Sequence, residues 1–147
     1  MFSISNFITG FGRGFHTTAV SNHIIHLSRL RVVDNSKIGM QAMLEGRPPK
    51  CIHVYNKTSV GTIGDLILVA IKGEKKKAII VGCRQKQNDF IPRFDSNNIV
   101  LIDDTGTPIG KRILVPIPYL LRTRLKAKNV KKGVDFTKLL ALATHFV

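Results

Sequence analysis

Asp104-Thr105-Gly106 carries the letters of an aspartic-protease loop, and Gly106-x-x-x-Gly110-Lys111 nearly spells a phosphate-binding P-loop. Both fall in one stretch, "DDTGTPIGKR", from Asp103 to Arg112. The first chemistry needs two such loops facing each other, so that two carboxylates share one proton. A homodimer could supply the second loop. In that fold, however, a partner strand wraps the loop from several tens of residues downstream. Here the residues after Gly106 are dominated by a basic run and a helical pattern. The second chemistry needs G-x-x-x-x-G-K-[ST], with a hydroxyl after the lysine to hold Mg²⁺. This chain has one residue too few between the glycines, and Arg112 stands in place of the hydroxyl. Asp, Thr, Gly and Pro between two apolar runs are turn formers, and a turn accounts for all of these residues.

No other catalytic set competes. The five histidines (His16, His23, His26, His53, His145) are scattered, with no acidic partner at ligand spacing, so no metal site is expected. Cys51 and Cys83 lack a CxxC partner and read as small buried apolar residues. The sequence calls for no enzyme activity and no cofactor.

The elements that carry these residues are short. "IIHLSRLRVV" (Ile24 to Val33) alternates in its second half, and "DNS" (Asp34 to Ser36) ends it with turn residues. "CIHVY" alternates again; "DLILVAIK" and "KAIIVGC" are β-branched runs around a charged "GEKK" hairpin. "NIVLID" is a fifth run and "KRILV" (Lys111 to Val115) a sixth. Strands this short and this closely spaced predict a mostly β fold, a small closed or nearly closed antiparallel barrel. The period changes only at the end. "PYLLRTRL" predicts a short helix after Pro118, and "DFTKLLALATHF" a second, with Asp135 as its N-cap. Apolar runs of strand length, such as "DLILVAI", cannot span a bilayer, so no membrane insertion is expected.

Charge supplies the functional signal. With 23 Lys+Arg against 9 Asp+Glu the formal net charge is +14. That excess repels itself in a compact fold unless a polyanion neutralises it, and nucleic acid is the leading candidate. The cations are grouped. Lys72, Lys75, Lys76 and Lys77 sit on the hairpin, Arg84, Lys86 and Arg93 flank the next loop, and Arg122, Arg124, Lys126 and Lys128 follow "PYL". These are the candidate RNA-binding residues, and phosphate and shape contacts fit them. Phe90, Phe94 and Tyr119 are the aromatics near these loops, a weak stacking platform for single strands.

Residues 1–33 contain no acid, and their basic residues are Arg13, Arg29 and Arg31 among many Ser, Thr, Phe and Ile. That is the composition of an organellar transit peptide, and "RGFHTTAVSN" resembles a mitochondrial processing site. The expected organisation is a targeting segment over residues 1–28 and one barrel domain over 29–147.

"LRVVDNS", "CIHV", "VGTIGDLILVAIK", "KAIIV", "RFDSNNIVLI" and "TPIGKRI" together resemble the universal large-subunit ribosomal protein L fourteen family, in its mitochondrial form. The resemblance runs from about Leu27 to Val147 and is most specific at Phe94-x-x-Asn97-x-x-Val100-Leu101. It implies a five-stranded β-barrel with a small helical C-terminal piece, bound to large-subunit rRNA near the face that meets the small subunit. It also implies neighbours of the L three and L nineteen families in the mitochondrial matrix ribosome. In the family a ribosome-silencing factor docks on the loop and C-terminal helix matched here by Lys111, Arg112 and Lys138. The same cations could instead meet rRNA, including small-subunit rRNA across a bridge. Four features depart from the family: extra residues around "MLEGRPPK", a shorter "GCRQKQNDFIPR" loop, Asp89 in place of the glycine usual before the aromatic strand, and Gly110-Lys111-Arg112 in place of Gly-Thr-Arg. The competing readings are a free barrel-type nucleic-acid-binding protein of the matrix and, further off, the dimeric protease.

Overall fold

The computed structural model describes residues 23–84, 93–132 and 136–147. Five strands form one sheet: β1 (Arg31–Val32), β2 (Lys50–Val54), β3 (Leu66–Ile71), β4 (Glu74–Gly82) and β5 (Asn98–Ile102). Three helices join them: α1 (Lys37–Leu44), α2 (Tyr119–Lys132) and α3 (Thr137–Ala141).

The sheet order is β1-β5-β4-β3-β2. The pairs β2·β3, β3·β4 and β4·β5 are antiparallel as expected, whereas β1 runs parallel to β5. The ladder therefore ends at β1 and β2, but the chain just before β1 reaches across the gap. Leu30 N–H donates to Pro49 O (3.0 Å), Cys51 N–H to Ser28 O (2.9 Å) and Leu27 N–H to Cys51 O (2.8 Å). An open five-stranded sheet is thus drawn into a barrel by the segment leading into its first strand, which leaves little free edge.

Alternation sets the inside of this barrel. Ile67, Val69 and Ile71 of β3 are buried while Leu66, Leu68 and Ala70 are half-buried. In β5 the whole run Asn98–Ile102 is buried, which is why it reads as a continuous apolar stretch. Each fully buried Ile or Leu of this core contributes roughly 1.5–3 kcal/mol by leaving water. The core also includes Ile24, whose backbone exchanges hydrogen bonds with Gly61 (Ile24 N to Gly61 O 3.1 Å, Gly61 N to Ile24 O 2.7 Å). The folded unit therefore extends upstream of Arg29.

The β3–β4 hairpin turns on Lys72-Gly73, both at positive φ (48° and 84°), the requirement of a two-residue type I′ turn. The turn thus lies one residue earlier than "GEKK", and Glu74 to Lys77 belong to β4.

Three local expectations are corrected. "DNS" does not merely end a strand: Ser36 caps α1, its Oγ accepting from Gly39 N at 3.2 Å. The extra residues around "MLEGRPPK" close that helix in a Schellman turn, with Gly46 at φ 67°, Gly46 N donating to Met43 O and Arg47 N to Ala42 O. "KRILV" is not a sixth strand; Ile113 makes isolated bridges to Asp34 and Ala143. The final helix is short, and its N-cap position is Phe136, with no side-chain capping bond. Asp135 lies outside the described residues.

Candidate nucleic-acid interface

The "DTG" stretch is a hydrogen-bonded turn. Asp103 N–H donates to Thr107 O (2.8 Å) and Gly106 N–H to Asp103 O (2.9 Å), with Gly106 at φ 86°. Asp104 instead pairs with Lys77 (2.8 Å), and that bond holds its carboxyl below the ordinary range and the lysine above its own. No three His, Cys, Asp or Glu side chains converge on a metal-sized site among the described residues. Cys51 and Cys83 are buried, and burial pushes the Cys83 thiol up to about 11, far from reactive.

The basic side chains are placed by strand period and by the α1 turn. In "RLR", Leu30 points into the core, so Arg29 and Arg31 stand together on the outside. They line one cleft of about 340 Å³ with Arg84, Ser96 and Asn97. Arg84 N–H donates to Asn97 Oδ1 (3.2 Å), and its Nε donates to Asp95 O, so the guanidinium is anchored at the cleft rim. On one side Arg29 and Pro48 are shared with a second cleft of about 560 Å³, lined also by Arg47, Lys50 and Lys72. On the other side Arg31 and Ser96 are shared with a third, which Arg93 lines. The three clefts make one band of cations along the seam where the barrel closes. Glu45 and Asp95 are the acids in it, and Glu45 is taken by Lys72 at 2.6 Å.

The cations singled out in the sequence are distributed over several faces. Lys72, Arg84 and Arg93 belong to the band. The Lys75–Lys77 run is split by alternation. Lys75 and Lys77 lie opposite Ala70 and Leu68 on the outer face, while Lys76 lies opposite the buried Val69 and pairs with Glu74 (3.3 Å). Lys75 is in no ion pair among the described residues. Arg122 and Lys126 are exposed on α2. Arg124 turns inward: its Nη1 donates to Ile63 O (2.9 Å) and Thr62 Oγ1 (3.3 Å), tying α2 to the β2–β3 connection. Lys86 and the side chain of Lys128 lie outside the described residues.

Lys111 and Arg112 are exposed, as is Lys138 on α3. The chain that follows Arg112 runs beside the tail that follows α3. Ile113 N–H donates to Leu142 O (3.3 Å), Thr144 Oγ1 to Ile113 O (3.1 Å) and Ile117 N–H to His145 O (2.9 Å).

Arg29, Arg31, Arg47 and Lys50 are not among the cations that the sequence singles out. The alternation of "RLR" carried a signal for the first two, since a strand with a buried Leu30 must face both neighbours outward. Arg47 and Lys50 join them through the α1 turn, which periodicity does not reveal.

The chain matches the family "Ribosomal protein L14p/L23e" over residues 23–147. It is also 50% identical, over 135 residues, to "Large ribosomal subunit protein uL14m" of Danio rerio, covering 92% of this chain and 89% of the relative. The chain belongs to the ribosomal protein L14p/L23e family.

Proposed function

We propose that the chain is a structural, non-catalytic constituent of the mitochondrial large ribosomal subunit, working in the matrix in support of translation. The observation that carries this is the 50% identity to a protein named for the large ribosomal subunit across nearly the whole of both chains. The cation band supports the further reading that the protein binds large-subunit rRNA through phosphates, with little regard to base identity. Lys72, Arg84 and Arg93 serve there with Arg29, Arg31, Arg47 and Lys50, and Lys75, Arg122 and Lys126 offer cations on other faces. Neighbours of the L three and L nineteen families are the expected protein contacts. Sedimentation of tagged protein from mitochondrial lysate tests the reading. Co-migration with the large subunit is expected, and steady migration in light fractions would refute it in favour of a free nucleic-acid-binding protein.

The finer proposal concerns Lys111, Arg112 and Lys138. All three are exposed cations, and they suit an acidic patch on a ribosome-silencing factor, with charge giving orientation and on-rate. Arg112→Glu with Lys138→Glu should abolish capture of the factor while the protein still enters the subunit. Unchanged capture, with weakened subunit joining, would assign these cations to small-subunit rRNA instead.

The acid-free N-terminus is proposed as a transit peptide. Ile24 is buried, so processing that preserves the fold falls upstream of it. N-terminal sequencing of the matrix form checks this, and an intact Met1 start would exclude it.

A further inference from the structure

On the outer face of β2, His53 meets His26 edge-on with ring centroids 5.9 Å apart, and Tyr55 at 5.2 Å. All three rings are exposed. His26 is carried next to Leu27, whose φ of 65° is a left-handed conformation that leucine rarely adopts, pinned by Leu27 N–H to Cys51 O. Strand register then fixes what surrounds the rings. His53 lies opposite Leu68, which lies opposite Lys77; Lys50 lies opposite Ala70, which lies opposite Lys75. Cross-strand neighbours share a face, so a row of rings runs beside half-buried aliphatics and a row of ammonium groups.

Beside Tyr55 a cleft of about 200 Å³ is walled by Leu66, Ile102 and Phe136, with Lys77, Asp103 and Asp104 at its rim. It is smaller than the roughly 300–1,000 Å³ typical of small-molecule pockets, which suits one planar ring system. Apolar walls, an aromatic ring, carboxylate acceptors and flanking cations are the components of a site for a single unstacked base.

We propose that this face receives one unpaired nucleotide of RNA, its base stacked on Tyr55 in the cleft, one flanking phosphate met by Lys77 at the cleft and the next, one step along the strand, by Lys75. The carboxylates at the rim accept hydrogen bonds and donate none, so they favour a base with an exocyclic amino group over uracil, whose one edge donor, N3–H, lies between two carbonyls. Ile25 and Leu27 flank His26 and Ile52 precedes His53, all exposed, so a protein neighbour is the alternative occupant that the test must separate from RNA. The inference rests on the RNA-binding reading above, yet it separates from it, since the cation band can hold a duplex without this cleft.

The test is fluorescence anisotropy with short labelled oligomers of cytidine and of uridine, and an A-form RNA duplex, at one fixed salt concentration. The cytidine oligomer should bind the parent protein more tightly than the uridine oligomer. Tyr55→Ala should weaken cytidine binding about tenfold, within the range of a lost base–aromatic stack, and leave duplex binding unchanged. Tyr55→Phe should keep it, and Asp104→Asn should narrow the preference for cytidine over uridine. Tyr55 is exposed, so unchanged thermal melting is the fold control. Equal cytidine binding by parent and Tyr55→Ala would overturn the inference alone. The same result with Tyr55→Ala failing to enter the subunit would assign the face to a protein neighbour, again overturning it. Absence of all RNA binding by the parent would overturn the RNA reading itself.

Discussion

A Cβ added to Gly110 would stand 2.6 Å from Asp34 Cβ and 2.9 Å from Asn35 N. The chain that presents Lys111 and Arg112 is thus laid directly on residues 34–35, and Asn35 N–H donates to Arg112 O at 3.0 Å. Neither obstacle is the far end of a flexible side chain, so backbone must move to admit a methyl group. Gly110→Ala should destabilise the protein by about 1–3 kcal/mol, as overpacking of a close approach does. Thermal melting checks it; an unchanged midpoint would show that the packing there is looser than the structure has it.

Asp34 itself is buried. Oδ1 accepts from Ser36 Oγ at 2.8 Å, while Oδ2 has no hydrogen-bond partner of ordinary geometry among the described residues. Burial raises its pKa, opposed first by the Ser36 hydroxyl. A carboxyl whose folded pKa lies above its unfolded value favours folding most when protonated. Its stability contribution is full below the unfolded value and is lost as pH rises through the folded one. On acidification from neutral pH towards the ordinary carboxylate value, the parent should therefore gain stability relative to Asp34→Asn. A stability difference that stays flat across that window would rule this out.

Gly110 and Asp34 also mark where sequence reasoning reaches its limit. The four longer strands were legible because each buries one face or both, so their apolar periodicity follows directly from the fold. Helix α1 was not: "DNS" is equally good turn and N-cap chemistry, and only the Ser36–Gly39 bond distinguishes the two. "KRILV" has strand composition but lies between Asp34 and the C-terminal tail with isolated bridges alone. Net charge pointed to a polyanion from composition, but not to which cations share a surface. Alternation divides Lys76 from Lys75 and Lys77, and the barrel seam gathers Arg29, Arg47 and Arg84 from distant parts of the chain. The ring row of His26, His53 and Tyr55 was hidden for the same reason, since His26 reaches His53 only across the seam.

Arg122 and Arg124 provide a test of that distinction within one helix. Arg124 bonds Ile63 O and Thr62 Oγ1, whereas Arg122 is exposed with its guanidinium 6.0 Å from the Tyr119 ring centre. Arg124→Ala should cost about 1–3 kcal/mol, the range for removing charge-assisted bonds to partly buried acceptors. Arg122→Ala should leave stability within about 0.5 kcal/mol. Denaturant titration of the two variants side by side decides it, and equal midpoints would remove the structural role assigned to Arg124.

The cation band makes the sharpest prediction about RNA. Arg29 and Arg31 are exposed, project from one face of "RLR", and line the cleft that Arg84 completes. Their removal should leave the core intact, because Leu30 and Val32 between and beyond them carry the burial. Each phosphate left without its cation should reduce the slope of log affinity against log salt by about 0.7–0.9. Arg29→Ala with Arg31→Ala should therefore flatten that slope by roughly 1.4–1.8 on any RNA, with little change in sequence preference. Lys76→Ala is the matched control. It removes a charge from the basic run, but from the face where Glu74 already neutralises it, so its slope should stay near the parent's. Measuring the three slopes on one rRNA fragment distinguishes a built surface from bulk charge. If the Lys76 variant sheds as much slope per charge as the arginine pair, affinity follows net charge alone and the seam has no privileged role.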